Sequence, residues 1–142
     1  MKKWEIVLGW RSQLKEWGEY DNSLGGTIAE LWAVEELGMI KAPSGTKAYD
    51  GILNHRKLQV KAKDSRKIYS NPDTQHYAEI KTEDRETIDD ILLVFVTNEG
   101  VNESYLFDVK EVQPRVVQQG KKLRYILKDI KAKQKNIKLL RP

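Results

Sequence analysis

Three polar side chains near the middle of the sequence have the residue types and the spacing of a cation and phosphate site. They lie on two predicted β-strands that meet at a turn at residues 54–55. If the hairpin is centred on that turn, Asp50 lies opposite Gln59, and Lys61 is diagonal to Asp50. Because side chains alternate along a strand, we expect all three to share one face of the hairpin.

This combination suits the chemistry of phosphate esters. A hard cation such as Mg²⁺ prefers oxygen ligands, and Asp50 and Gln59 supply a carboxylate and an amide oxygen. The Lys61 ammonium could orient or deprotonate a water molecule, or stabilise charge on a phosphate. The alternative is an exposed sheet face with scattered polar residues and one cross-strand ion pair. In either case Asp50, as an exposed strand carboxylate, is expected to contribute little to stability.

A fourth candidate lies on the helix predicted over residues 26–37. Glu30 belongs to an apolar stripe of this helix, where a lone carboxylate is costly unless it has a partner or a metal. Gly26, one turn earlier, leaves room for another group to approach. Glu35 lies on an equally apolar stripe, so helical periodicity does not choose between the two glutamates.

The elements that position these residues follow from the pattern of apolar side chains. Helices are predicted over 3–19 and 26–37, the second ending at Gly38, and strands over 47–53, 56–63, 91–96 and 103–109. The unbroken apolar run at 91–96 is typical of a central strand covered on both faces. A short helical piece is predicted at 110–117, and an amphipathic helix from about 121 with the apolar stripe Leu123, Ile126, Leu127 and Ile130. The polar stretch 64–87 has no clear pattern.

This order of elements predicts an α/β or α+β fold with one mixed central β-sheet flanked by helices. The length of 142 residues favours a single domain over 1–142. We divide it into an N-terminal helix at 1–23, a core at 24–110 and a basic C-terminal helical segment at 111–142.

The composition excludes several kinds of site. The sequence has no cysteine, so disulfides, thiol catalysis and Cys-based zinc sites are excluded. His55 and His76 are its two histidines, which makes a histidine-rich zinc site very unfavourable. A chain without cysteine is compatible with a reducing cytoplasm, where we expect the protein. No apolar run approaches the roughly 20 residues of a membrane span, so no membrane partner is expected.

The net charge of +4 hides an uneven distribution. Residues 110–142 contain eleven Lys or Arg and two acidic residues, whereas the rest of the chain is mildly acidic. This pattern favours either a polyanionic partner or a solvated basic helix without a partner. The candidate nucleic-acid-binding residues are Lys63, Lys121, Lys122, Arg124, Lys128, Lys131 and Lys135. Lys128, Lys131 and Lys135 have the spacing of one helical face.

Taken together, these residues resemble the PD-(D/E)XK nuclease superfamily. The matching elements are Gly26-Thr27-Ile28-Ala29-Glu30, Tyr49-Asp50-Gly51 and Gln59-Val60-Lys61, within roughly residues 24–110. The layout is similar to a family of small bacterial and phage proteins with this core, and to archaeal Holliday-junction resolvases. Gln59 stands where the commonest version of the motif has Asp or Glu. Methyl-directed restriction nucleases resemble this form with Gln.

The resemblance implies a restriction-endonuclease-like core and Mg²⁺- or Mn²⁺-dependent hydrolysis of DNA phosphodiester bonds. By that analogy Asp50 is the principal metal ligand, Gln59 a neutral second ligand and Lys61 the catalytic lysine. Glu30 is then an accessory ligand or a water-orienting group. The small size implies a structure-directed or weakly sequence-specific endonuclease, acting as a homodimer or with a recognition partner protein. The alternatives are a catalytically silent member that binds nucleic acid or another protein, and a purely structural module.

Overall fold

The predicted hairpin forms around a tight two-residue turn. The computed structural model describes residues 1–18, 23–46, 48–64 and 71–137. Within them, Asn54 and His55 both have positive φ, at 53° and 66°. Two-residue hairpin turns of this kind require positive φ at both central positions, which matches the right-handed twist of the flanking strands. The predicted position of the turn is therefore confirmed.

The helices and strands alternate irregularly along the described residues. The helices are α1 (Lys3–Glu16), α2 (Ser23–Trp32, continued by a π-helical turn at Ala33–Leu37), α3 (Pro72–Gln75) and α4 (Leu127–Lys133). The strands are β1 (Ile40–Lys41), β2 (Gly51–Leu53), β3 (Arg56–Asp64), β4 (Tyr77–Lys81), β5 (Asp90–Thr97), β6 (Gly100–Asp108), β7 (Arg115–Val117) and β8 (Lys122–Ile126). Residue 19 of the first predicted helix, residue 47 of the first hairpin strand and residues 138–142 of the basic segment lie outside the described residues.

The protein is an α+β protein with a mixed central sheet and flanking helices. The central sheet has the order β1-β2-β3-β5-β6, in which β3 and β5 are parallel and the other neighbours antiparallel. Parallel neighbours need a crossover connection, and here that connection includes α3 and β4. β4 joins a second sheet of order β4-β8-β7, so the described residues form two sheets rather than the single sheet predicted.

The two faces of β5 are covered by different layers. Leu92, Val94 and Val96 pack with residues of α1 and α2 in one buried cluster. Ile91 and Leu93 pack with residues of the second sheet and α4 in another. Every residue of β5 except its last is buried, which confirms the prediction of a central strand covered on both faces. The predicted helix end at Gly38 is also confirmed, with a φ of 83°.

The C-terminal prediction is wrong over half of its length. Residues 110–117 contain no helix; they form a turn followed by β7, and residues 122–126 form β8 before α4 begins at Leu127. The sequence Lys122-Leu123-Arg124-Tyr125 alternates with the period of a strand, and pairing with β4 and β7 on both sides stabilises that alternative. Within the described residues 111–137, the α-helix is therefore limited to α4, rather than extending through the segment as predicted. No helix in the described part of the chain is long and apolar enough to cross a membrane.

Candidate active site

Asp50 immediately precedes β2, just outside the residues of β2 that pair with β3. The predicted register is confirmed over the pairs from Gly51 with Leu58 to Leu53 with Arg56. It ends there, because the Asp50 N–H donates to the Leu58 carbonyl at 2.8 Å and Asp50 is not paired with Gln59. The Asp50 carboxylate instead accepts the Val60 N–H at 2.7 Å, alongside the strand that carries Gln59 and Lys61.

The prediction that Asp50 is an exposed carboxylate is wrong. The residue is half-buried rather than exposed, and its carboxylate accepts a charge-assisted backbone hydrogen bond. It is therefore coupled to the backbone of β3. Two residues earlier in the chain, Ala48 has a φ of 76°, a left-handed conformation that is strained for a residue with a Cβ.

Glu30 of α2 lies near Asp50. Burial, and then the neighbouring charge of Asp50, raise the pKa of Glu30 above its ordinary value, and a side-chain hydrogen bond to Asp50 acts in the same direction. The charge of Lys41 on β1 acts in the opposite direction. Two neighbouring carboxyl groups repel each other when both are charged, so binding of a proton or of a cation at this place is favoured.

The ambiguity between Glu30 and Glu35 is resolved by the first turn of α1. Glu35 accepts the backbone N–H groups of Lys3 and Trp4 at 3.1 and 3.0 Å, so it caps that helix. The buried Glu36 accepts the indole N–H of Trp4 at 3.1 Å. Glu35 and Glu36 thus join α1 to the end of α2, and Glu30 is the glutamate that faces Asp50.

Gln59 and Lys61 occupy alternate positions on β3, on either side of Val60, whose N–H donates to Asp50. The amide oxygen Oε1 of Gln59 is buried and accepts no hydrogen bond from the residues that the structure describes. Burial lowers the pKa of Lys61, while the charge of Asp50 acts to raise it. The charge of Lys122, from the second sheet, lowers the Lys61 pKa further. Lys61 is thus a desolvated lysine within the electrostatic reach of the carboxyl pair.

These oxygen atoms fit a hard divalent cation. A buried carbonyl oxygen without a donor costs about 1–3 kcal/mol, and a cation would satisfy it. Asp50 and Glu30 supply negative oxygen ligands and Gln59 a neutral one, the ligand types that Mg²⁺ prefers. Within the described ranges, no three His, Cys, Asp or Glu side chains are grouped closely enough to hold a metal. A site here would accordingly need the Gln59 amide as well as the two carboxylates.

The basic residues predicted to bind nucleic acid lie on several different elements of the fold. Lys131 binds Asp73 at 2.7 Å and Lys135 binds Asp90 at 2.8 Å, so both cations have carboxylate partners. The predicted helical face of Lys128, Lys131 and Lys135 is wrong, because α4 ends at Lys133 and Lys135 forms a β-bridge. Lys128 and Lys121 are exposed.

Three other predicted basic residues converge near the candidate site. The Lys63 ammonium lies over the ring of Tyr77, 4.3 Å from its centroid, and the Arg124 guanidinium lies over the same ring at 4.0 Å. Lys122 acts electrostatically on Lys61, as described above. Tyr77 and Arg115 were missed, because β4 lies in the stretch without a clear pattern and β7 in a predicted helix. The alternation of charged and apolar residues at 122–125 was the available signal for this sheet.

Comparisons of the sequence with protein-family models and with curated proteins gave no match. The assignment of a function therefore depends on the chemistry of the side chains gathered around Asp50.

Proposed function

We propose that this chain is a Mg²⁺- or Mn²⁺-dependent DNA endonuclease with a restriction-endonuclease-like core. The observation that supports this function best is the neighbouring carboxyl groups of Glu30 and Asp50, with the desolvated Lys61 within electrostatic reach of Asp50. On the same strand, Gln59 has a buried amide oxygen that accepts no hydrogen bond from the described residues. An exposed sheet face with scattered polar residues would not place two carboxyl groups close together, since their mutual repulsion raises the free energy of the folded state.

Asp50, Glu30 and Gln59 would hold the cation. When bound, it would supply positive charge beside the phosphate and make water a better nucleophile. Because the pKa of Glu30 is raised, a proton competes with the cation for its carboxylate, so cation binding is expected to strengthen as the pH rises through the Glu30 pKa. The neutral Gln59 leaves the site with one negative charge fewer than a third carboxylate would provide.

The Nζ atom of Lys61 would accept the proton that the attacking water loses. Because burial lowers its pKa, the neutral amine is more accessible than in an exposed lysine, and it can accept a proton from the attacking water. The resulting ammonium then stands beside the phosphate, whose charge it can stabilise. A positioned general base of this kind typically contributes about 10²–10⁴-fold to a rate.

The test is incubation with supercoiled plasmid, branched DNA and single-stranded DNA in Mg²⁺, Mn²⁺ or EDTA. We expect cleavage of at least one substrate with a divalent ion and none in EDTA. Lys61→Met should reduce the rate by about 10²-fold or more and leave cation binding intact, since it removes the base and no oxygen ligand. Lys57→Met is the matched control, because Lys57 is an exposed lysine on the same strand, over the Tyr49 ring.

Calorimetry separates the cation site from catalysis. Gln59→Glu should tighten divalent-ion binding by adding a charged ligand. If wild type binds no divalent ion, with or without DNA, and cleaves no substrate, the endonuclease proposal is wrong. Retained DNA binding in that case would favour a catalytically silent nuclease-fold protein.

A further inference from the structure

The second sheet presents an outer face that the catalytic proposal does not use. Its inward side chains, including Ala78, Ile80, Leu123 and Tyr125, are buried in the core. Because side chains alternate along strands, the residues between them face outward. The register places Glu79, Arg124 and Arg115 in one row across β4, β8 and β7, and Lys81, Lys122 and Val117 in the next.

This outer face carries more positive charge than its own carboxylate neutralises. Arg115 and Arg124 are directly opposed across β7 and β8, an arrangement in which like charges destabilise a sheet. Arg124 donates from Nε and Nη2 to one Glu79 oxygen, at 3.1 and 3.0 Å. The side chain of Arg115 is exposed, and no hydrogen bond or ion pair joins it to the described residues. The row therefore has an uncompensated guanidinium next to a guanidinium that is fixed in place.

The two arginines line an open groove of about 420 Å³, together with Thr74, Gln75 and Tyr77. Tyr77 helps to fix the groove, since Arg124 lies over its ring at 4.0 Å and Lys63 at 4.3 Å. A ring already covered by two cations offers little surface for stacking a nucleobase. The groove thus presents charge and planar donors, the features that recognise phosphate, rather than the aromatic platform typical of single-strand binding.

The groove also adjoins the candidate active site. Lys63 lies on β3 two residues after Lys61, and Lys122, in the row beside Arg124, acts electrostatically on Lys61. Positive side chains therefore continue from the carboxyl pair across the edge of β4 to Arg124 and Arg115. A polyanion bound along this surface would lie close to the carboxyl groups and to Lys61, which are proposed to cleave it.

We propose that the outer face of the second sheet binds the phosphodiester backbone of duplex DNA, with Arg115 and Arg124 as neighbouring phosphate ligands. The choice of DNA rests on the proposed function, but the binding itself requires neither cation nor cleavage. Phosphates on the outside of a duplex need no base stacking, in agreement with a groove whose aromatic ring is covered. Since these contacts are to phosphate, they position DNA without reading its sequence.

The experiment measures anisotropy of a fluorescent duplex oligonucleotide in EDTA over a series of salt concentrations. Arg115→Gln should weaken binding and flatten the slope of log affinity against log salt by about 0.9, the value for one lost phosphate contact. The fold should tolerate this change, because Arg115 is exposed and makes no bond to the described residues. Lys3→Gln is the matched control, an exposed single charge on α1, which packs on the opposite face of the central sheet.

Single-stranded DNA of the same sequence and polyglutamate serve as competing ligands. We expect the duplex to bind most tightly and to be the ligand most sensitive to Arg115→Gln. An unchanged duplex affinity and slope in Arg115→Gln overturns the proposal, and so does equal, Arg115-dependent binding of polyglutamate. Because all measurements are in EDTA, loss of this surface is distinguishable from failure of the cleavage proposal, which the divalent-ion assays test.

Discussion

Asp50 is expected to have two separable roles, and two substitutions can separate them. As a proposed cation ligand it needs its negative charge, but as the acceptor of the Val60 N–H it needs an oxygen atom. Asp50→Asn removes the charge and keeps an acceptor, whereas Asp50→Ala removes both. Both variants should lose divalent-ion binding, while the alanine variant should lose more stability.

The size of the difference follows from the 2.7 Å hydrogen bond. A hydrogen bond to a charged group contributes about 1.5–3 kcal/mol, and a neutral one about 0.5–1.5 kcal/mol. Asp50→Asn also removes the repulsion with Glu30, which offsets its loss. We expect the free energy of unfolding of Asp50→Asn to lie within about 1 kcal/mol of wild type. Asp50→Ala should be destabilised by about 1–3 kcal/mol, since the part-buried Val60 N–H is left without an acceptor.

Denaturant unfolding followed by tryptophan fluorescence gives the free energy of unfolding, and calorimetry gives the cation affinity. If Asp50→Ala is as stable as Asp50→Asn, the hydrogen bond to Val60 makes no net contribution and the reasoning is wrong. If Asp50→Asn binds Mg²⁺ as tightly as wild type, Asp50 is not a cation ligand.

Two further predictions test how the site is supported. Because the pKa of Glu30 is raised above 4.5 in the folded state, the folded protein binds more protons there, and stability should fall as the pH rises from about 4.5 through the folded pKa. Glu30→Gln should flatten the unfolding free energy over that pH window, and profiles parallel to wild type would contradict this. A Cβ at Gly51 would lie 2.6 Å from the Ile40 carbonyl oxygen, so Gly51→Ala should destabilise the fold by about 1–3 kcal/mol. Gly26→Ala is the control, since a Cβ there meets nothing within 4 Å and alanine favours the helix by about 0.5–1 kcal/mol, and equal thermal melting of the two variants would refute the clash.

Several features of the fold could be predicted because they depend on neighbours in the sequence. The turn at residues 54–55, the alternation along β3 and the apolar run of β5 each follow from a pattern shorter than ten residues. The hairpin register followed from the position of its turn, because a two-residue turn sets the pairing of the strands beside it. These local patterns are sufficient to place Gln59 and Lys61 on one face of β3, without any tertiary contact.

The C-terminal segment shows where local patterns are insufficient. Leu123, Ile126 and Leu127 have helical spacing, yet Leu123 and Tyr125 also alternate with the period of a strand. Both patterns bury apolar side chains, so the sequence of this segment alone does not choose between them. Hydrogen bonds from the neighbouring β7, and from β4, which is distant in the sequence, stabilise the strand.

Local sequence patterns are sufficient to identify the residue types that could do chemistry and to place Gln59 and Lys61 on one strand. They do not identify the glutamate that lies near Asp50, because Glu30 and Glu35 occupy equally apolar stripes of the same helix. Glu35 caps the first turn of α1. Asp50, which immediately precedes β2, lies near Glu30. A second sheet over β3 likewise decided which cations lie near the site. Such contacts depend on the packing of distant segments, whose geometry no local periodicity specifies.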